Sequence, residues 1–194
     1  MRERKLTRRE VVEKLFAGLA AGAAWPLVAS AHPIYGHLKN AALLDRADGA
    51  DRAAEWKPLF LNARQNDVLV ALSETMVPGS AKARVNRFID LLLSVDIAEH
   101  QKQFLESLTA IETEAKKRFG RGFPVLSGDE REALLTGISQ SESERPHFEN
   151  LKEWIAGAYY SSEDGMRELG WDGNRAFAKF PGCEHGEGAH ARPD

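Results

Sequence analysis

Thiol and imidazole groups meet at one place in this chain of 194 residues: Cys183, His185 and, five positions on, His190. A Cys-x-His-x4-His spacing offers three soft metal ligands, and a thiol is also a redox group and a nucleophile. Structural zinc usually takes four protein ligands, however, and a glycine-rich terminus holds ligands poorly. Cys183 is the single cysteine, so neither an internal disulfide nor a cysteine-built metal cage can form within one chain. Three readings of Cys183 stay open: a disulfide to another chain, an unreacted buried thiol, and a metal ligand beside His185 and His190. His32, His37, His100 and His147 are scattered and are expected at the surface or as satisfied core groups. The paired carboxylates Asp129/Glu130 and Glu163/Asp164 are expected at helix starts, where the dipole favours them. General acid–base work would need a pocket that the sequence does not show. Gly-x-Ser-x-Gly, His-Glu-x-x-His, Cys-x-x-Cys-His and a glycine-rich phosphate loop are all missing from the sequence.

A recognition signal stands at the other end. Thr7-Arg8-Arg9-Glu10-Val11-Val12 precedes a soft apolar run from Leu15 to Ala29, which leads into Ala29-Ser30-Ala31. A basic start, an apolar stretch and a small-x-small cleavage site follow the order of a secretory signal. The run is rich in Ala and Gly, contains Pro26, and falls short of the ~20 strongly apolar residues of a membrane span. The pair resembles the twin-arginine (Tat) motif, with Val11 and Val12 in its two apolar places and Lys14 one place later than the usual lysine. Residues 1–31 are therefore expected to be a Tat signal, read through Arg8 and Arg9 by the Tat translocase. Ala29 and Ala31 mark its cleavage site, and the periplasm is its destination. That route carries proteins already folded, often around a cofactor. The alternatives are an amphipathic amino-terminal helix with incidental arginines, and a leader retained as a membrane tether.

The rest of the chain must supply the elements that position these groups. Beyond residue 31 it has 20 basic against 26 acidic residues, a surface that would repel phosphate backbones and disfavours nucleic acid. Residues 32–58 show little periodicity and are expected to form an extended amino-terminal arm with mixed helical tendency. From residue 59 the pattern is helical. Val68, Leu69, Leu72 and Met76 share a face ahead of Pro78-Gly79, and Val85, Phe88, Ile89 and Leu92 repeat the spacing. Ile97, Phe104, Leu108, Ile111 and Ala115 make a longer stripe that closes near Gly120. Ser127 and Glu130 predict a capping box, and Pro146 suits a first turn ahead of Phe148, Leu151, Ile155 and Tyr159. A short helix is expected between Ser161 or Ser162 and Gly170. No strand alternation interrupts the series. The fold class expected is all-α, an irregular bundle of about five to seven helices over residues 59–170. Residues 171–194 would form an aromatic carboxy-terminal arm. That arm carries Trp171, Phe177 and Phe180 among turn formers, so it either folds back on the bundle or lies along a partner.

Two segments carry a family resemblance. The stretch from Tyr159 to His185 contains Tyr159-Tyr160, Ser162 to Gly165, Glu168-Leu169-Gly170-Trp171, Gly173-Asn174 and Phe180 to His185. Upstream, Ser73 to Ser94 contains Pro78-Gly79 and Phe88-Ile89-Asp90. In this order they resemble the gluconate 2-dehydrogenase subunit 3 family, although the stretch between Met76 and Gly79 is shorter than in many relatives. The resemblance implies a non-catalytic small subunit with no cofactor of its own. Its partner would be an FAD-dependent sugar or polyol dehydrogenase of the glucose-methanol-choline (GMC) type, with a c-type cytochrome carrying haem as a third subunit. A flavin subunit without a signal would travel folded on this chain's leader, reaching the membrane through the complex. Trp171, Phe177, Phe180, Cys183 and His185 would contact the partner, Cys183 as an intersubunit disulfide. The competing expectation is a free-standing periplasmic metal-binding or redox protein that uses Cys183, His185 and His190.

Overall fold

The computed structural model describes residues 5–19 and 34–171, which contain helices and no strand. Three helices come first: α1 (Arg8–Leu19), α2 (Tyr35–Leu38) and α3 (Ala41–Arg52). Six follow: α4 (Ala63–Met76), α5 (Val85–Leu93), α6 (Ala98–Phe119), α7 (Gly128–Gln140), α8 (Arg145–Tyr160) and α9 (Glu163–Glu168). The expected five to seven helices thus fit the chain from residue 59, and the surplus lies ahead of it. The mixed helical tendency expected over 32–58 takes the form of α2 and α3 rather than an extended run. Asn40 accepts the Leu43 N–H and opens α3, which buries Leu43, Leu44 and Ala47. That apolar face is only three residues wide, set among Asp and Arg, and so left little periodicity to read.

Caps and breakers fix the later elements. Reciprocal capping boxes open α4 (Asn62 with Gln65) and α7 (Ser127 with Glu130), the second as expected. In α5 the buried apolar residues flank Asp90, which has no exposed surface. Its carboxylate accepts the N–H groups of Leu59 (2.7 Å), Phe60 (3.0 Å) and Leu61 (2.8 Å). Three amide donors make a fully buried carboxylate tolerable, and they fasten the entry of α4 to α5. α6 buries Phe104, Leu108, Ile111 and Ala115 as expected. Ile97 is not part of that stripe: it precedes the helix in extended backbone and is 59% exposed.

α8 is the hub. It packs against α4, α5, α6, α7 and α9 and buries Leu151, Trp154, Ile155, Ala158 and Tyr159. Trp154 meets Phe104 of α6 edge-on, with ring centroids 5.6 Å apart. After α8 the chain reverses at Ser162, whose hydroxyl accepts the Gly165 N–H and caps α9. A Cβ at Gly165 would overlap the Tyr159 carbonyl oxygen and lie 2.8 Å from its carbon. Backbone cannot yield there as a flexible side chain would.

Replacing Gly165 by Ala is expected to cost about 2 kcal/mol in chemical denaturation of the full chain. Gly49→Ala, in the exposed interior of α3 with nothing within 4 Å, is expected to add about 0.5–1 kcal/mol.

Candidate functional site

The twin-arginine segment starts as a helix for a local reason. Thr7 and Glu10 form a capping box: the Glu10 N–H donates to the Thr7 hydroxyl (3.2 Å), and the Thr7 N–H donates to the Glu10 carboxylate (2.9 Å). In the helix that follows, Arg8, Val11 and Val12 fall on one face by their i, i+3, i+4 spacing. All three are buried, at 4%, 0% and 2% exposure. The face packs chiefly on α3.

Arg8 lines a cleft of about 420 Å³ together with Asp48, Asp51, Ala83, Arg84 and Glu163. Its Nη1 donates to the Ala158 carbonyl (2.6 Å) and the Ser161 hydroxyl (2.8 Å), both at the end of α8. Nη2 donates to the Ala83 carbonyl (3.3 Å), in the turn between α4 and α5. The guanidinium lies 4.0 Å from the centre of the Phe88 ring, and the Arg8 backbone N–H donates to Asp48 (2.9 Å). Nε is buried with no hydrogen-bond partner among the described residues. Burial pushes the Arg8 pKa down to about 10 against the pull of Asp51, Asp48 and Asp164, so the group remains charged at neutral pH. Asp51 is pushed upward by the same burial, against Arg8, Arg84 and Arg87. Arg84, next to the carbonyl that Arg8 uses, holds left-handed backbone at φ 54°. A non-glycine residue takes that conformation at a cost, so packing around the cleft must impose it.

The flanks are tied as well. Glu163, itself buried, accepts the Leu6 N–H (2.7 Å) and pairs with Arg167 (2.9 Å). Asp164 pairs with Lys82 (2.6 Å) and Lys5 (3.2 Å). Burial alone would raise the Asp164 pKa, but hydrogen bonds from Lys82 and Lys5 outweigh it and hold the carboxyl below its usual range. The expected capping role of this acidic pair is therefore incomplete, since both carboxylates also hold the amino-terminal segment. Arg9 points the other way. It is partly exposed and pairs with Glu13 (2.7 Å) and Asp45 (2.7 Å), whose hydrogen bonds raise its pKa.

Of the other candidates, Trp171 is half-buried at the end of the described chain, its N–H donating to the Met166 carbonyl (3.0 Å). Ala29, Ala31, His32, Phe177, Phe180, Cys183, His185 and His190 lie outside the described residues. His37 and His100, far apart in sequence, both reach Asp96, at 3.4 and 3.1 Å. His147 lies 3.2 Å from the Ser107 hydroxyl. Among the described residues no group of three His, Cys, Asp or Glu could hold a metal ion. The residues that sequence reading missed are Asp48, Asp51, Ala83, Ala158 and Ser161. Only the Thr-x-x-Glu spacing around the pair signalled that α1 begins there.

The family model described as gluconate 2-dehydrogenase subunit 3 matches residues 63–182. Comparison with curated proteins and with solved structures gives no match.

The two arginines differ in structural weight. Arg8→Lys removes a fork that bridges three acceptors and is expected to cost about 2–4 kcal/mol, seen as a lower Tm of the full chain. Arg9→Lys, on the surface, is expected to leave Tm nearly unchanged.

Proposed function

The chain belongs to the gluconate 2-dehydrogenase subunit 3 family, and we propose that it is the non-catalytic accessory subunit of a periplasmic, FAD-dependent sugar or polyol dehydrogenase of the GMC type. It carries the Tat leader for itself and for a flavin subunit that has none, and it stabilises that subunit through folding and export. The match over residues 63–182 carries this reading. The flavin belongs to the partner, and a c-type cytochrome takes the electrons onward and brings the complex to the membrane. A loaded flavoprotein cannot be threaded unfolded without losing its cofactor, which is why a folded-protein route suits the pair.

One observation supports a non-catalytic role. Glu130, Glu163 and Asp164, from the paired carboxylates read in the sequence, are each engaged in a cap or an ion pair. The carboxy-terminal arm from Trp171 to His185 is proposed as partner contact, with Cys183 as a covalent tie.

A second reading is favoured by the burial of Arg8: the amino-terminal helix is kept as part of the fold. Mass spectrometry of the purified protein separates the two, since processing leaves His32 at the amino terminus and retention leaves Met1 or Arg2.

The main reading is tested by co-expression with an FAD-dependent GMC-type dehydrogenase subunit that has no signal of its own, and purification through a tag on this chain. A yellow, dehydrogenase-active complex is expected in the periplasm. Arg9→Gln, which leaves the buried contacts of Arg8 in place, should hold the complex in the cytoplasm. A colourless chain exported alone would overturn the proposal.

A further inference from the structure

A receptor that reads two adjacent guanidinium groups must reach both. In the folded chain it can reach one. Arg8 is 4% exposed, both of its terminal nitrogens are engaged, and one face of its guanidinium is against Phe88. Arg9 offers itself to solvent. The two apolar positions that follow the pair are hidden with Arg8, because Val11 and Val12 are buried. The feature that would mark this chain for export is thus half concealed by the domain that is to be exported.

The concealment is built so that it can be undone. Among the described side chains of α1, Val11 and Val12 are the buried apolar ones and Val12 joins the main apolar core, whereas α4 to α8 hold most of that core among themselves. The remaining ties of the segment are polar: Leu6 to Glu163, Lys5 to Asp164, the Arg8 N–H to Asp48 and the Arg8 guanidinium to the end of α8. The exposed Lys5–Asp164 tie can exchange for water at modest cost, whereas the Arg8 ties are buried and must open together with α1. The buried guanidinium resists opening, yet its charge is better solvated outside the cleft than within it.

We propose that the cleft formed by Asp48, Ala83, Ala158 and Ser161 is a clasp for the chain's own Arg8, and that opening the clasp gates recognition of the twin-arginine segment. The inference rests on the export reading above. While α1 is docked the segment presents a single arginine, and only the undocked segment presents the pair. Because the acceptors come from α3, the α4–α5 turn and the end of α8, the state of the clasp reports whether those three parts are in place.

Hydrogen exchange on the full chain, read peptide by peptide, tests the docking. Residues 9–14 are expected to be protected, and Asp48→Ala with Ser161→Ala should speed their exchange tenfold or more while α4 to α8 keep theirs. Glu163→Ala, which removes the Leu6 acceptor away from the core, serves as a second loosening variant should the first fail to fold. In cells, with the partner co-expressed, the loosened chain is expected to reach the periplasm several-fold faster than the natural one. Unprotected residues 9–14 in the natural chain would overturn the clasp. A loosened chain exported at the natural rate, in cells where Arg9→Gln blocks export, would overturn the gate and leave the export reading standing. Unimpaired export of Arg9→Gln would remove the export reading and the gate with it, leaving the protected α1 as a structural helix.

Discussion

The end of α8 sets the conditions for everything at the amino-terminal cleft. The last carbonyls of any helix lack amide partners, and water normally satisfies them. Here the apolar face of α8 is buried against five neighbours, which draws its final turn into the body of the protein. The Gly157 and Tyr159 carbonyls find the Ser161 and Ser162 N–H groups. The Ala158 carbonyl takes the Ser161 hydroxyl and Arg8. A cation at that position also complements the negative end of the helix dipole. Lysine could supply the charge but not the planar fork that spans acceptors on two elements.

The two segments that carry the family resemblance turn out to be neighbours. The Pro78-Gly79 turn lies against Tyr159: a Cβ on Gly79, whose φ is 95°, would sit 3.1 Å from the tyrosine hydroxyl oxygen. Three residues on, Lys82 pairs with Asp164 of the reversal that follows α8. Burial, first of all, pushes the Tyr159 hydroxyl pKa up to about 12, and the nearby Glu168 carboxylate acts in the same direction. Glycine at 79 and 165, tyrosine at 159 and an acid at 164 therefore form one packing solution rather than two motifs. Arg8 closes it from a third direction, through the Ala83 and Ala158 carbonyls.

Much of the bundle was legible because its signals are local. Ser127 and Glu130 are three residues apart, and the stripes of α4 and α5 need only a few turns to declare themselves. Ile97 misled because a stripe read by spacing alone does not know where the helix begins; α6 starts one residue later and leaves that side chain outside. α3 showed only a mixed helical tendency because a helix packed along a narrow face shows few apolar residues. The cleft was illegible for a different reason. The groups that meet Arg8 lie 40 to 153 positions away in sequence, and two of them are backbone carbonyls, which any residue type supplies.

The geometry of a helix also explains why the pair divides its roles. Successive residues on an α-helix point about 100° apart, so adjacent arginines cannot both face one surface while they are helical. The residues that share the direction of Arg8 are Val11 and Val12, the two apolar positions that complete the motif. The direction of Arg9 is shared by Glu13, its partner one turn on. Two adjacent arginines followed by two apolar residues, once helical, become an amphipathic face with one arginine inside it. Burying that face costs the desolvation of a single guanidinium, which Ala158, Ser161, Ala83 and the Phe88 ring offset. The helix start at Thr7 therefore decides which of the two arginines is buried, because it sets the face that Arg8, Val11 and Val12 share.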